Sequence, residues 1–266
     1  MNEEYWRRKL AQNFKVYGKN VNLIEAILIE NRGYIREIPQ DEYVVLIFSG
    51  GMDSTILIDV VIRKWNCKVI LLYYKRKSKN QKWEEQSVDY FFDFFQKRFP
   101  QNLIELIKLE IEIPSRLNKE YFDRARQKVM MLPLRNTIMW GNAFTQAVYL
   151  SGKYRTTIRT VIVGSVKEDI SSPESGILSI LSQNVHTCIS MGLWYYQLLA
   201  PFIDGLLGKD YKKIDLLQYA NNHKIPIERT RSCFGADEAP CNKCLACENR
   251  NKAYAQLDNK MKNELQ

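Results

Sequence analysis

The sequence predicts an α/β fold, a parallel five-stranded sheet covered by helices on both faces and followed by a cysteine-rich tail. Three observations predict it. Short β-branched runs alternate with amphipathic stretches of helix length through the middle of the chain. A glycine-containing turn joins the first of these runs directly to an apolar helix. Four of the six cysteines, Cys233, Cys241, Cys244 and Cys247, crowd together near the end. Parallel neighbours need a crossover long enough for a helix, so the alternation implies a sheet with both faces covered. The expected organisation is a helical flank at 1–42, an α/β domain at 43–230, and a tail with a final helix at 231–266.

The elements follow in order. Trp6, Leu10 and Phe14 recur at helical spacing, and Val21, Ile24, Ile27 and Leu28 form a second apolar set. They predict a helical pair that packs on the sheet or at a dimer contact. Strands are expected at Val44–Phe48, Lys68–Tyr74, Leu106–Ile113, Thr160–Gly164 and Gln197–Phe202. Helices are expected between and after them at 53–64, 84–98, 133–150, 175–190 and 211–222. Beyond Cys247 a charged helix carries Tyr254 and Leu257 on one face.

With 39 Lys and Arg against 30 Asp and Glu, the 266-residue chain has a net charge of +9. That suits an anionic partner: nucleotide phosphates, a carboxylate substrate or nucleic acid. Lys75, Arg76, Lys77, Lys79 and Lys82 leave the carboxyl end of the second strand, the side on which such sheets bind ligands. No aromatics are interleaved there to stack bases, so nucleic acid is not the expected partner. A hydrophobic content of 45% excludes wholesale disorder. The longest apolar run, Met191–Ile203, is broken by Gln197 and Pro201 and falls short of a bilayer span. The first residues are acidic and lack an apolar core, so a cytoplasmic chain with no membrane partner is expected.

The first strand runs into Ser49-Gly50-Gly51-Met52-Asp53-Ser54-Thr55. Paired glycines let backbone approach an anion without a Cβ in the way. Ser54 and Thr55 stand where a helix begins, so its free N–H groups and positive dipole end face the loop. The loop lacks the lysine of a Walker A sequence.

Cys233, Cys241, Cys244 and Cys247 are separated by seven, two and two residues. Four thiolates at such spacing close a tetrahedron around structural Zn²⁺ with no position left for water. An iron–sulfur cluster or a sulfur-transferring cysteine pair are the rival readings. His186 and His223, the only histidines, lie elsewhere in the sequence and are not expected to be ligands.

Ser49–Ser54 resembles the pyrophosphate loop of the N-type ATP pyrophosphatases, which adenylate a carbonyl or carboxylate oxygen and release pyrophosphate. The resemblance implies that Ser49, Gly50, Gly51 and Ser54 hold the β- and γ-phosphates of ATP and that Asp53 helps place Mg²⁺. Phe48, Met52, Thr55, Asn136 and Gly164 complete the implied nucleotide contacts. The cysteine segment from Ser232-Cys233 to Arg250 is similar to the C-terminus of the 7-cyano-7-deazaguanine synthase family, whose fold is adenine nucleotide alpha hydrolase-like. Three further segments agree in order. Pro133-Leu134-Arg135-Asn136 resembles its P-G-R-N motif, with leucine in place of glycine. Val163-Gly164 with Glu168-Asp169 and Ser171-Ser172-Pro173 resembles the strand and loop near its nucleobase. Leu199-Ala200-Pro201-Phe202, then Lys213-Ile214-Asp215, resembles its late strand and the start of the following helix. The likeness covers roughly residues 43–252.

What the family implies is a route from 7-carboxy-7-deazaguanine and ammonia, through an adenylate and an amide, to 7-cyano-7-deazaguanine. Asp53, Arg135 and Lys213 are the implied catalytic residues, with Arg135 and Lys213 as cations that orient the carboxylate. Glu168 and Asp169 either accept hydrogen bonds from the purine-like N–H edge or form a plain acidic turn. Two segments depart from the pattern, Tyr74-Lys75-Arg76-Lys77-Ser78 and Ser172-Pro173-Glu174. Synthase-like proteins of antiphage defence operons show similar divergence, which leaves a protein acceptor open. The added positive charge of Lys75 and Lys77 is expected to favour an anionic carboxylate over a neutral amide. A homodimer is expected. A tRNA-modifying enzyme with the same loop, and a non-catalytic nucleic-acid module, are the competing readings.

Overall fold

A computed structural model describes residues 2–113, 118–130 and 132–264. Five strands, β1 Tyr43–Ile47, β2 Lys68–Lys75, β3 Leu103–Glu110, β4 Thr160–Ile162 and β5 Gln197–Leu199, form one sheet. Its order is β3-β2-β1-β4-β5, and every pairing is parallel. Val45 sits opposite Ile70 on one side and Val161 on the other. The chain therefore winds outward from β1 in both directions. The gap above β1, where β2 and β4 diverge, is the place where an open parallel sheet binds its ligand.

The described helices are α1 Glu3–Phe14, α2 Tyr17–Arg32, α3 Met52–Trp65, α4 Gln81–Arg98, α5 Arg124–Met130, α6 Arg135–Tyr154, α7 Ile177–Met191, α8 Lys213–Asn222 and α9 Leu245–Glu264. Side chains alternate across a strand, and the strands are apolar on both faces because both are covered. Val44, Leu46, Val69, Leu71 and Tyr73 meet Ile56, Val60, Phe91, Phe95 and Leu216 of α3, α4 and α8. Val45, Ile47, Ile70, Leu72 and Tyr74 meet Trp140, Ala143, Phe144, Ile180 and Cys188 of α6 and α7 on the other face. All are buried. Burial of this much apolar side chain, at roughly 1.5–3 kcal/mol for each large residue, dominates the stabilisation of the sandwich.

The expected strands and helices are present with shifted ends. The third strand lies three residues early, at Leu103–Glu110. Asn102 fixes its start: its carbonyl accepts from Val69 N at 2.6 Å, and its side chain donates to Cys67 O at 3.1 Å. β4 and β5 are shorter than expected because the chain turns after each. After β5 the Ala200 carbonyl accepts from Ile203 and Asp204 N–H groups around Pro201. α2 closes over α7 and the end of the sheet. The buried part of the Arg32 guanidinium donates to Tyr196 O at 2.8 Å and to the carbonyls of Tyr34 and Ile35. Among the described residues no helix is long and apolar enough to cross a membrane.

Candidate active site

The chain leaves β1 through Phe48 and turns at Gly50, whose φ of +70° is left-handed. A Cβ there would stand 3.0 Å from Glu84 O and from Ser87 Cβ. Only glycine satisfies both constraints. The Gly50 carbonyl accepts from Ser87 Oγ at 2.7 Å and from Arg231 N at 2.8 Å. Ser49 and Ser54 hydroxyls lie 3.1 Å apart across the loop, and Gly51 N donates to Ser49 Oγ at 3.3 Å. α3 then starts with no side-chain cap from Gly51. Its first N–H groups point into the turn, as an anion site requires.

Gly164, after β4, packs against this helix start. A Cβ on it would lie 3.0 Å from Ser54 N and 3.2 Å from the Asp53 carbonyl carbon. The expected loop residues are thus brought together, with a difference in what each offers. Phe48 and Thr55 turn their side chains into the protein, at 1% and 0% exposure. Any contact they make with a ligand is through backbone. Thr55 N instead closes the first helical turn on Gly51 O at 3.0 Å.

Asp53 projects from the first turn of α3 to Lys213 at the start of α8, with Oδ2 to Nζ at 2.7 Å. The backbone N–H of Lys213 donates to Glu168 Oε1 at 3.0 Å. Asp169 accepts from Val166 N at 3.2 Å. Burial works against the charge of Lys213, but the carboxylates of Asp53, Asp169 and Glu168 outweigh it and hold the ammonium protonated above its ordinary value. Burial pushes Asp169 up to about 6, the nearby Lys213 opposing and Asp53 reinforcing the shift. One cation thus serves three carboxylates. Asp53 Oδ1 is buried with no hydrogen-bond partner. A buried carboxylate oxygen left bare beside a glycine turn and a helix start fits an oxygen-seeking dication such as Mg²⁺.

Arg135 belongs to a second group. It opens α6, and its Nε donates to Asn136 Oδ1 at 3.1 Å. Asn136 N donates to Glu174 Oε2, and its side chain to Ser175 Oγ, each at 3.4 Å. Glu168–Asp169 and Glu174–Ser175 lie on one short stretch between β4 and α7. That stretch joins the Lys213 group to the Arg135 group. Leu134, where the family motif has glycine, is left-handed with a φ of +55°. The backbone keeps the turn, and an exposed leucine carries its strain.

The four tail cysteines converge with their Sγ atoms within 4.8 Å of one another. Cys233 and Cys247 are buried, and Cys233 Sγ accepts from Gly235 N and Cys241 N at 3.2 Å each. Backbone N–H groups aimed at a sulfur favour the thiolate that a metal needs. Four convergent thiolates fit a structural tetrahedral ion.

Residues other than the cysteines join this knot to the loop. The Arg231 guanidinium donates to the carbonyls of Gly235, Asp237 and Glu238 at 2.6–2.7 Å while its own N–H holds Gly50. Ser232 Oγ accepts from Met52 N at 3.4 Å. Asn80 donates to Cys233 O at 3.0 Å and to Glu84 at 2.9 Å, and Trp83 Nε1 donates to Ala236 O at 2.7 Å. The only sequence signal was the adjacency of Arg231 and Ser232 to Cys233.

Two of the five residues of the basic run are committed to carboxylates of α4, and Lys79 and Lys82 are exposed. Arg76 reaches both oxygens of Glu84 at 3.0 Å, and Lys75 Nζ pairs with Glu85 at 3.4 Å. Lys77 is exposed. Of the two lysines expected to favour an anionic carboxylate, Lys75 is thus paired with Glu85 and Lys77 faces solvent.

The profile of a family described as queuosine biosynthesis protein QueC matches residues 43–258. The 7-cyano-7-deazaguanine synthase of Prochlorococcus marinus (strain MIT 9312) is 41% identical over 54 residues, 20% of this chain and 24% of that protein. The 7-cyano-7-deazaguanine synthase 1 of Desulfitobacterium hafniense (strain Y51) is 23% identical over 220 residues, 79% of this chain and 90% of that protein. Matches to two Prochlorococcus relatives thus span only 24% and 20% of their length. Among solved structures, NMN synthetase from Francisella tularensis is 11% identical with a TM-score of 0.42, covering 91% of this chain and 92% of that one. The U34-tRNA thiolase NcsA from Methanococcus maripaludis is 12% identical with a TM-score of 0.40, covering 92% and 75%.

Proposed function

The chain belongs to the family described as queuosine biosynthesis protein QueC, and on that premise we propose that it is an ATP-dependent carbon–nitrogen ligase converting 7-carboxy-7-deazaguanine to 7-cyano-7-deazaguanine. The observation that carries the reading is Asp53: one oxygen on Lys213, the other buried and bare, at the uncapped start of a helix behind two glycines. That arrangement suits a triphosphate and its dication.

In this reading Ser49, Gly50, Gly51 and Ser54 hold the β- and γ-phosphates through hydroxyls and backbone N–H groups. Asp53 would hold Mg²⁺, which offsets phosphate charge during transfer when bound. The substrate carboxylate attacks the α-phosphorus, and pyrophosphate leaves. Lys213 and Arg135 stabilise the charge that develops between two anions, where fixed cations contribute most. Ammonia displaces AMP to give the amide. A second activation puts AMP on the amide oxygen, and its departure with loss of the two amide protons gives the nitrile. Glu168 and Asp169 accept from the N–H edge of the base. Cys233, Cys241, Cys244 and Cys247 would hold one Zn²⁺ whose part is to fold the tail that supports the loop.

A reaction that stops at the amide is the second reading, because both segments that depart from the family pattern, Tyr74–Ser78 and Ser172–Glu174, fall where the second activation would be controlled. Glu174 stands in a segment that departs from the family pattern and is already engaged by Asn136. Mass spectrometry of a mixture of protein, ATP, Mg²⁺, 7-carboxy-7-deazaguanine and ammonia decides between them. A product one water lighter than the amide supports the full conversion, and amide alone supports the shorter one. Pyrophosphate release that does not depend on the deazapurine refutes both.

A further inference from the structure

Residues 2–42 lie outside the stretch that matches the family, 43–258, yet they touch both segments that carry the acceptor-side residues. In α1, Trp6 Nε1 donates to Asp123 Oδ2 at 3.0 Å. The other oxygen of Asp123 accepts from the N–H groups of Ala125 and Arg126 at 2.8 and 3.1 Å. Asp123 therefore caps α5, and Trp6 fixes the cap. The Arg126 guanidinium lies 5.6 Å from the Trp6 ring, and Lys128 reaches Glu3 at 2.7 Å. From α5 the chain runs within a few residues to Leu134 and Arg135.

The second contact is at the start of α7. Gly176 supplies no side-chain cap there. The Tyr17 hydroxyl takes that place by accepting from Leu178 N at 2.9 Å, and the ring of Phe14 stands 5.6 Å from the Tyr17 ring. Immediately before this helix lie Glu174 and Ser175, which bond Asn136. Side chains of the flank thus hold two helix starts, one shortly before Arg135 in the chain and one directly after Glu174 and Ser175. An unheld helix start exposes several N–H groups and frays.

We infer that the N-terminal flank is a positioning element for the acceptor: Trp6, through Asp123, and Tyr17, at the start of α7, set the spacing between Arg135 and the Glu168–Ser175 segment. The inference rests on the ligase reading for the identity of the acceptor, but not for the bracing itself. Neither residue touches the phosphate loop, so ATP binding is left alone.

The test uses Trp6→Phe and Tyr17→Phe, singly and together, in the full-length protein. Tyr17→Phe keeps its ring and loses only the hydroxyl, while Trp6→Phe loses the indole N–H and leaves a smaller aromatic ring in its place. The double variant is expected to raise KM for 7-carboxy-7-deazaguanine roughly tenfold while KM for ATP and the melting temperature stay near wild type. That corresponds to about 1.4 kcal/mol of acceptor positioning. Equal changes in both KM values, or no change in either, overturn it. Amide hydrogen exchange supplies a measurement independent of substrate. Faster exchange confined to 124–138 and 172–182 supports the bracing even if the wild-type protein does not turn over the deazapurine, in which case the ligase reading alone fails. Unchanged exchange there overturns the bracing.

Discussion

Asp53 and Lys213 meet at 2.7 Å across 160 residues of sequence, and the pair ties the start of α3 to the start of α8. Lys213 is 8% exposed. Removing one member of such a pair leaves a buried charge uncompensated, which costs far more than the pair itself contributes.

Lys213→Met is therefore expected to lower stability by about 3–5 kcal/mol, with Asp53→Asn in the same chain restoring most of the loss. Urea unfolding of the two single variants and the double variant measures this coupling. Additive losses would show the two groups to be independent. All three variants should fail to release pyrophosphate.

The purified protein is expected to contain about one Zn²⁺ per chain, because four thiolates complete a structural shell. Cys244→Ser should lose the metal and loosen the tail. Arg231 and Ser232 link that tail to Gly50 and Met52, so nucleotide affinity should fall as well. Metal analysis and ATP titration check both parts. Iron with visible absorbance would overturn the zinc assignment.

Leu134 holds a φ of +55°, which costs an L-residue roughly 1–2 kcal/mol. Glycine relieves that strain but loses about 0.4–1 kcal/mol through a freer unfolded chain. Leu134→Gly should come out stabilising by about 0.5–1 kcal/mol, and Leu134→Val should destabilise. Thermal denaturation of the two variants decides it. A stabilised valine variant would contradict the left-handed turn.

Asp204 is buried after β5, its carboxylate accepting from Ala200 N at 2.9 Å and Leu206 N at 3.0 Å. Burial raises its pKa above the ordinary value, opposed by those N–H groups and by Arg36. The folded state thus keeps a proton that the unfolded chain has already released. The stabilisation is complete below the unfolded pKa and fades as pH rises through the folded one. Asp204→Asn does not titrate, so its stability relative to wild type should improve from pH 4 to pH 8. A gap that is constant with pH would refute the shift.

The sheet and its helices were legible because the central strands β1 and β2 are apolar runs buried on both faces, and the crossovers have a helical apolar period. The loop was legible because its chemistry is local: two glycines, two hydroxyls and a carboxylate within six residues. Cysteine spacing marked the tail for the same reason. What stayed hidden depends on distant partners. Arg231 works through three carbonyls and its own N–H, groups that every residue possesses. Trp6 reads as one apolar position of an amphipathic helix, and nothing in its neighbourhood points to Asp123. The pairing of Lys75 and Arg76 was not legible because charge is counted along the chain while neutralisation occurs in space. Glu84 and Glu85, at the end of the first turn of α4, already answer Arg76 and Lys75.

The clasp between Arg231, Ser232 and the glycine turn also sets an order of events during synthesis. The turn at Gly50 leaves the ribosome early, but the N–H group that holds its carbonyl arrives with residue 231. At translation speeds of about 5–20 residues per second, that interval is roughly 10–40 s. Until then the nascent chain carries the glycine turn without its latch. A product that stops before residue 231 would display the whole sheet with the Gly50 turn unheld, and on the ligase reading it should grip nucleotide poorly.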